Sequence, residues 1–142
     1  MVKGSCLCGA VVYGLEGELG PMADCHCSMC RKHHGATAVT YVGVRTANFR
    51  WLAGQDKVAT YQSSPRVRRG FCKICGSSLP VPDENEEMTL VPAGTLDDDP
   101  GVRRMAHIFV ASRAPWDEIT DGLPCFDEYP PGMAPDERNS GS

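Results

Sequence analysis

Seven of the eight cysteines fall into three tight knuckles: Cys6-x-Cys8, Cys25-x-Cys27-x-x-Cys30 and Cys72-x-x-Cys75. Thiols spaced by one or two residues converge on a point, so any fold of this chain must present three sulfur-bearing turns. Tetrahedral zinc takes four ligands, and Cys6 and Cys8 together with Cys72 and Cys75 make one closed set. The middle knuckle then supplies three thiolates by itself, Cys25, Cys27 and Cys30. Three ligands leave one position for water or substrate, the pattern of a catalytic zinc.

Other readings of the same cysteines stay open. Cys125, or His26, His33 or His34, would close the second site and turn both zincs into structural ones. An iron–sulfur cluster uses the same thiolates, and spacing alone does not separate it from zinc. Eight cysteines would also suffice for a disulfide framework. The N-terminal stretch MVKGSCLCGAVVYG lacks the continuous apolar run of a secretory signal, so a cytoplasmic, reducing setting and metal ligation are expected.

At 142 residues the chain has room for one domain with a modest core. With 42% apolar residues, 15 glycines and 11 prolines, it reads as many short strands and turns that would gain from metal staples. No apolar run is long enough for a membrane span. The net charge of −4 counts thiols as neutral and becomes more negative with zinc thiolates, which argues against nucleic-acid binding through bulk electrostatics. Basic residues nevertheless gather beside the knuckles: Arg31, Lys32, His33 and His34, then Arg66, Arg68, Arg69 and Lys73. They read either as solvated surface or as an anion-recognition rim around a metal site.

The β-branched run at 10–13, between Gly9 and Gly14, predicts a strand, and 16–23 reads as a Gly/Pro-punctuated connection. Ser28–His34 predicts a short helix stopped by Gly35, its N-terminus facing the Cys25–Cys30 cluster, where the helix dipole favours thiolate. Residues 37–45 predict a strong strand, with shorter ones at 48–52, 57–62, 66–71, 78–82, 88–93 and 105–110. Pro80 and Pro82 make 78–82 an edge or irregular strand, and 83–87 and 97–99 read as acidic turns. A helical turn is expected near Pro115–Glu118, with Trp116 packed against a sheet and His107 a structural histidine in a strand. The domain is expected to span 1–129, followed by a loose Pro/Gly/Ser-rich tail over 130–142. The whole reads as mainly β.

A zinc held by three thiolates is soft and favours an incoming sulfur ligand. A thiol meeting it would lose its proton and become a nucleophile at neutral pH, chemistry that suits addition to a small aldehyde. Arg31 and Lys32, one turn past the site, would then meet a substrate carboxylate. No Ser/His/Asp triad, phosphate-binding glycine loop or nucleotide fingerprint competes with this reading.

The segments Gly4-Ser-Cys-Leu-Cys-Gly9, Cys25-His-Cys-Ser-Met-Cys-Arg-Lys32 and Phe71-Cys-Lys-Ile-Cys-Gly-Ser-Ser-Leu79 resemble the glutathione-dependent formaldehyde-activating enzyme family. That family is also called the GFA or centromere protein V domain family. Ala93-Gly-Thr-Leu-Asp-Asp98 and His107-Ile-Phe-Val-Ala-Ser-Arg-Ala-Pro-Trp116 resemble it too, so the likeness covers roughly residues 3–129. It implies an Mss4-like fold of small antiparallel β-sheets stapled by two zinc ions, with one or two short helical turns. Cys6, Cys8, Cys72 and Cys75 would hold the structural zinc; Cys25, Cys27 and Cys30 would hold the catalytic one. The activity implied is that of an S-(hydroxymethyl)glutathione synthase, a carbon–sulfur lyase-type enzyme joining glutathione or a similar thiol to formaldehyde or another small aldehyde. The alternative is a non-catalytic, zinc-stapled binding module for a thiol ligand or a protein partner.

Overall fold

Short β-branched runs parted by glycine turns give ten strands and one helix among the described residues, 1–132 of a computed structural model. In chain order they are β1 (Val2–Ser5), β2 (Val12–Leu15), β3 (Leu19–Cys25), α1 (Ser28–His34), β4 (Val39–Arg45) and β5 (Phe49–Ala53). There follow β6 (Val58–Ser64), β7 (Val67–Cys72), β8 (Ser78–Leu79), β9 (Met88–Pro92) and β10 (Arg104–Ile108). They form three sheets, ordered β1-β2-β5, β10-β3-β4-β9 and β6-β7-β8. Neighbouring strands run antiparallel, except that β10 lies parallel to β3. The mainly β expectation therefore holds. The tail expected from Pro130 falls, from residue 133 on, outside the described residues.

The core sits between the first two sheets. Val11, Tyr13, Leu15, Val42, Val44 and Val91 are wholly buried, with Phe49 and Leu79 beside them. Each such side chain contributes about 1.5–3 kcal/mol by leaving water. Tyr13 stacks on Phe49 at 5.5 Å between ring centres and meets Trp51 edge-on at 6.4 Å. A second, smaller cluster gathers Cys25, Cys27, Cys30 and Val39, with Met29, Tyr41, Ile108 and Phe109 packed against it. The end of β3, the start of α1, β4 and the end of β10 thus enclose the middle knuckle.

Three expectations are corrected. Residues 16–23 are not simply a connection: β3 begins at Leu19 and becomes an inner strand of the four-stranded sheet. The Gly20-Pro21 pair hides this, because Pro21 has no N–H for the ladder and the register slips between Leu19 and Met22. Trp116 does not pack on a sheet but stands 72% exposed. Its segment makes a single turn, with Asp117 N–H donating to Ala114 O at 3.0 Å, and the nearest helical turn is a 3₁₀ one at Val110–Ser112. Elsewhere the acidic run works as a latch: Asp98 accepts from Lys3 N–H at 2.8 Å and Asp97 from Ser5 Oγ at 2.8 Å, pinning β1. No helix of the described residues is long and apolar enough to cross a membrane.

Candidate metal centres and the adjoining cleft

The first knuckle follows β1 and the third closes β7, and the fold brings their four sulfurs within 4.8 Å of one another. Cys6 and Cys8 Sγ lie 3.6 Å apart, Cys8 and Cys72 Sγ 3.9 Å. Tetrahedral zinc with bonds of about 2.3 Å requires ligand–ligand edges of about 3.8 Å, so this cage has the right size. Gly9 and Gly76 both adopt φ 78°, and their amides turn back onto Cys6 O and Cys72 O at 3.0 and 2.7 Å. Only glycine takes this backbone freely. Val11 N–H donates to Cys6 Sγ at 3.3 Å, and Leu7 N–H to Ser77 Oγ at 2.8 Å ties one knuckle to the other. Hydrogen bonds from the Ser77 side chain and backbone lower the Cys75 thiol to about 5.

The middle knuckle is built on a strand-to-helix junction. Cys25 ends β3; Cys27 caps α1, its Sγ accepting from Cys30 N–H at 3.3 Å; Cys30 sits in the first turn, and Gly35 ends the helix at φ 61°. The three sulfurs are buried and lie within 4.8 Å of one another. Among the described residues no histidine or carboxylate joins them at that range. Contacts from Cys25 and Cys27, then the Tyr41 hydroxyl and the Arg69 cation, hold the Cys30 thiol down to about 2 against the effect of burial. Cys25 moves the other way, raised chiefly by its contacts with Cys27 and Cys30. Cys30 is thus the sulfur that the surrounding donors favour as thiolate.

Two residues from distant strands meet that charge. Tyr41 Oη lies 3.3 Å from Cys30 Sγ, and His34 Nε2 lies 3.2 Å from Tyr41 Oη. Arg69 on β7, only 7% exposed, donates from Nη1 to Cys30 Sγ at 3.2 Å and to Tyr41 Oη at 3.3 Å, and from Nε to Ser63 Oγ at 3.1 Å. Burial opposes the Arg69 charge, but Cys30 beside it raises its pKa above the ordinary arginine value. A cleft of about 750 Å³ opens beside this group, with Cys25, Cys30, Tyr41, Arg69, Ile108 and Phe109 in its walls.

Arg31 is placed differently from the sequence expectation. Its Nε donates to His26 O at 3.3 Å and its Nη2 to Ser112 O at 3.2 Å, so it braces the knuckle. Cys125 lies outside both sulfur clusters: it is exposed, bridges to His107 on β10, and its Sγ approaches Leu123 O at 3.5 Å. His26 turns its ring away from its neighbours Cys25 and Cys27. Its Nε2 meets His107 Nδ1 at 2.8 Å, and its buried Nδ1 has Asp117 Oδ2 at 3.6 Å, beyond hydrogen-bond range. His107 Nε2 meets Asp121 Oδ2 at 2.8 Å. Asp24, His107 and Asp121 also converge within 4.8 Å, but Arg104 already supplies their cation, pairing with Asp24 and lying 3.6 Å from Asp121. His107 is buried and lies in β10, the strand position expected for it.

The spacing of the cysteines announces both clusters, while Tyr41 and Arg69 carry no motif of their own. Arg69 was visible only as one member of a basic group. Tyr41 was visible only as a strand residue on the face shared with Val39, which packs against the knuckle.

A mainly β chain that gathers seven cysteines into two clusters able to hold metal, one opening beside a buried arginine, defines a class of metal-binding β protein. Comparison with known families makes this specific: residues 1–112 match the model of the glutathione-dependent formaldehyde-activating enzyme family, and the chain belongs to that family. It is 30% identical over 141 residues to a Halomonas elongata protein provisionally named a glutathione-dependent formaldehyde-activating enzyme, covering 92% of this chain and 89% of that one. It is 29% identical over 77 residues, 54% of each chain, to an uncharacterized lyase of Schizosaccharomyces pombe. A crystal structure of a Rhodobacter sphaeroides protein superposes with a TM-score of 0.53 at 25% identity, covering 68% of this chain and 89% of that one.

Proposed function

We propose that this protein is a zinc-dependent carbon–sulfur lyase-type enzyme that joins a thiol, glutathione or a similar one, to formaldehyde or another small aldehyde. Cys6, Cys8, Cys72 and Cys75 would hold a structural zinc, and Cys25, Cys27 and Cys30 the catalytic one. The observation that carries this reading is the three-sulfur cluster with no fourth protein ligand in reach among the described residues, set against an open cleft. The bound zinc would favour the thiolate form of an incoming thiol at neutral pH.

The chain's own groups then do the rest. Ile108 and Phe109 give the cleft an apolar wall that limits water around the reacting carbon. The S–H bond breaks, its electron pair forms the new C–S bond, and the carbonyl π pair moves to oxygen. Tyr41 Oη, 3.3 Å from Cys30 Sγ, and His34 Nε2, 3.2 Å from that hydroxyl, form a path. Along it neutral Tyr41 would donate its proton to the carbonyl oxygen and be refilled by the thiol proton. Arg69 balances the charge of the sulfurs throughout. Eight unpaired cysteines suit a cytoplasmic, reducing setting.

Exchange NMR with ¹³C-formaldehyde and glutathione tests the reading. The zinc-loaded protein should accelerate interconversion of free and thiol-bound formaldehyde over the spontaneous rate. Cys27→Ser should remove the acceleration while the chain stays folded. If the loaded wild type matches the spontaneous rate for both glutathione and simpler thiols, the enzyme reading fails and the zinc-stapled binding module replaces it.

A further inference from the structure

The cleft beside the middle knuckle holds a cation whose hydrogen bonds are incomplete. Arg69 is more than nine-tenths buried, and a buried guanidinium is costly unless every arm is paired. Among the described residues no carboxylate forms an ion pair with it. Nη1 is taken by Cys30 and Tyr41, and Nε by Ser63. Nη2 is buried and has no hydrogen-bond partner among the described residues. Both Nη atoms belong to one rigid planar fork, so the free donor lies within a few ångströms of the sulfur cluster.

We propose that Arg69 is an anion subsite for the substrate itself, taking the carboxylate of a thiol acid whose sulfur and carboxylate are only a few bonds apart. The proposal rests on the thiol reading above and narrows it. An uncharged anchor would not suit a cation already buried, and a phosphate-sized group would crowd a donor this close to the sulfurs. A planar carboxylate matches the fork and gives Nη2 the acceptor it lacks. His33, Arg66 and Arg68 also line the cleft, as do the acidic Asp83, Glu84 and Glu86. A thiol acid with its sulfur at the cluster would therefore turn its carboxylate toward Arg69. Arg31, the residue the sequence offered for this task, is engaged with backbone carbonyls instead.

The test uses the full chain loaded with Co(II), whose sulfur charge-transfer absorption reports an added thiolate ligand. Two probes of equal sulfur and chain length are titrated: 3-mercaptopropionate and 3-mercaptopropanol. The acid should bind about tenfold or more tightly than the alcohol, the value of a charge-assisted hydrogen bond in a partly dry site. In Arg69→Met that still holds its metal, the ratio of acid to alcohol affinity should fall to about one, whatever happens to the affinity for the alcohol itself. Arg69→Lys, which keeps the charge but not the fork, should retain only part of it. Equal affinities in the wild type would overturn the subsite and leave the thiol reading standing, with Nη2 satisfied by water. An undiminished preference in Arg69→Met that still holds its metal would overturn it too. No spectral response to either thiol would remove the thiol reading and the subsite together. Should Arg69→Met fail to fold, the wild-type pair of titrations still decides.

Discussion

Tyr41 is the point at which three elements share one oxygen, with Cys30 of α1, Arg69 of β7 and His34 at the end of α1 all within 3.3 Å of it. Burial, reinforced by the Cys30 charge, raises its pKa well above the ordinary tyrosine value, so it remains a neutral donor. His34, its partner, is depressed to about 4 by burial and then by neighbouring His33. The unfolded chain takes that proton near the ordinary histidine value of 6.5 and the folded chain only near 4, so between them the unfolded state binds more protons. The stability tied to neutral His34 is complete above the unfolded value and is lost as pH falls through the folded one. Any metal lost in acid would be lost by both proteins, so the difference between them isolates the histidine. His34→Gln should therefore lose less stability than wild type as pH drops from about 6.5 to about 4, measured by urea midpoints along the series. Parallel curves would show that His34 titrates as freely folded as unfolded.

At the scale of elements, the strands depend on a few backbone positions where no side chain fits. Gly54, between β5 and β6, has φ 73°, and a Cβ there would stand 1.9 Å from Ala10 O. Gly54→Ala adds left-handed strain to a clash with rigid backbone, so it should cost about 2 kcal/mol or more, read as a drop of several degrees in Tm. An unchanged Tm would mean that the strand entering β2 can move aside. What could be read from sequence divides along the same line. Helix α1 was legible over Ser28–His34 because its Gly35 stop is a local signal, whereas its cap, Cys27, was legible only as a metal ligand. The strand β3 was not, because Gly20-Pro21 breaks its alternation and only pairing with β4 and β10 supplies it. The cysteine clusters were legible because one- and two-residue spacings already bring sulfurs together. Arg69 and Tyr41 reach Cys30 from β7 and β4, and that meeting depends on how the sheets pack, which no local pattern encodes.

For the whole molecule, the two sulfur clusters divide the labour of holding it together. The four-cysteine cage joins the end of β1 in one sheet to the end of β7 in another, so a metal held there would substitute for core that a chain of this size has little of. A structural zinc contributes roughly 10 kcal/mol or more to folding in small domains. The three-cysteine cluster lies within one sheet and its helix, so its metal matters less to the fold. Cys125, outside both, should be the one thiol that reacts quickly with a disulfide reagent while metal is bound, despite the exposure of Cys8 in the cage. Counting reactive thiols during chelator titration then follows the structure through its metals. One thiol reacts in the loaded protein; the Cys25, Cys27 and Cys30 group should follow with the chain still folded; the last four should appear only with loss of β circular dichroism. Cys125→Ser should delete the first step and leave the metal content unchanged, whereas Cys72→Ser should merge unfolding with the loss of a single metal. Should the four-cysteine group be released first without unfolding, the cage would not be the staple that its position between sheets implies.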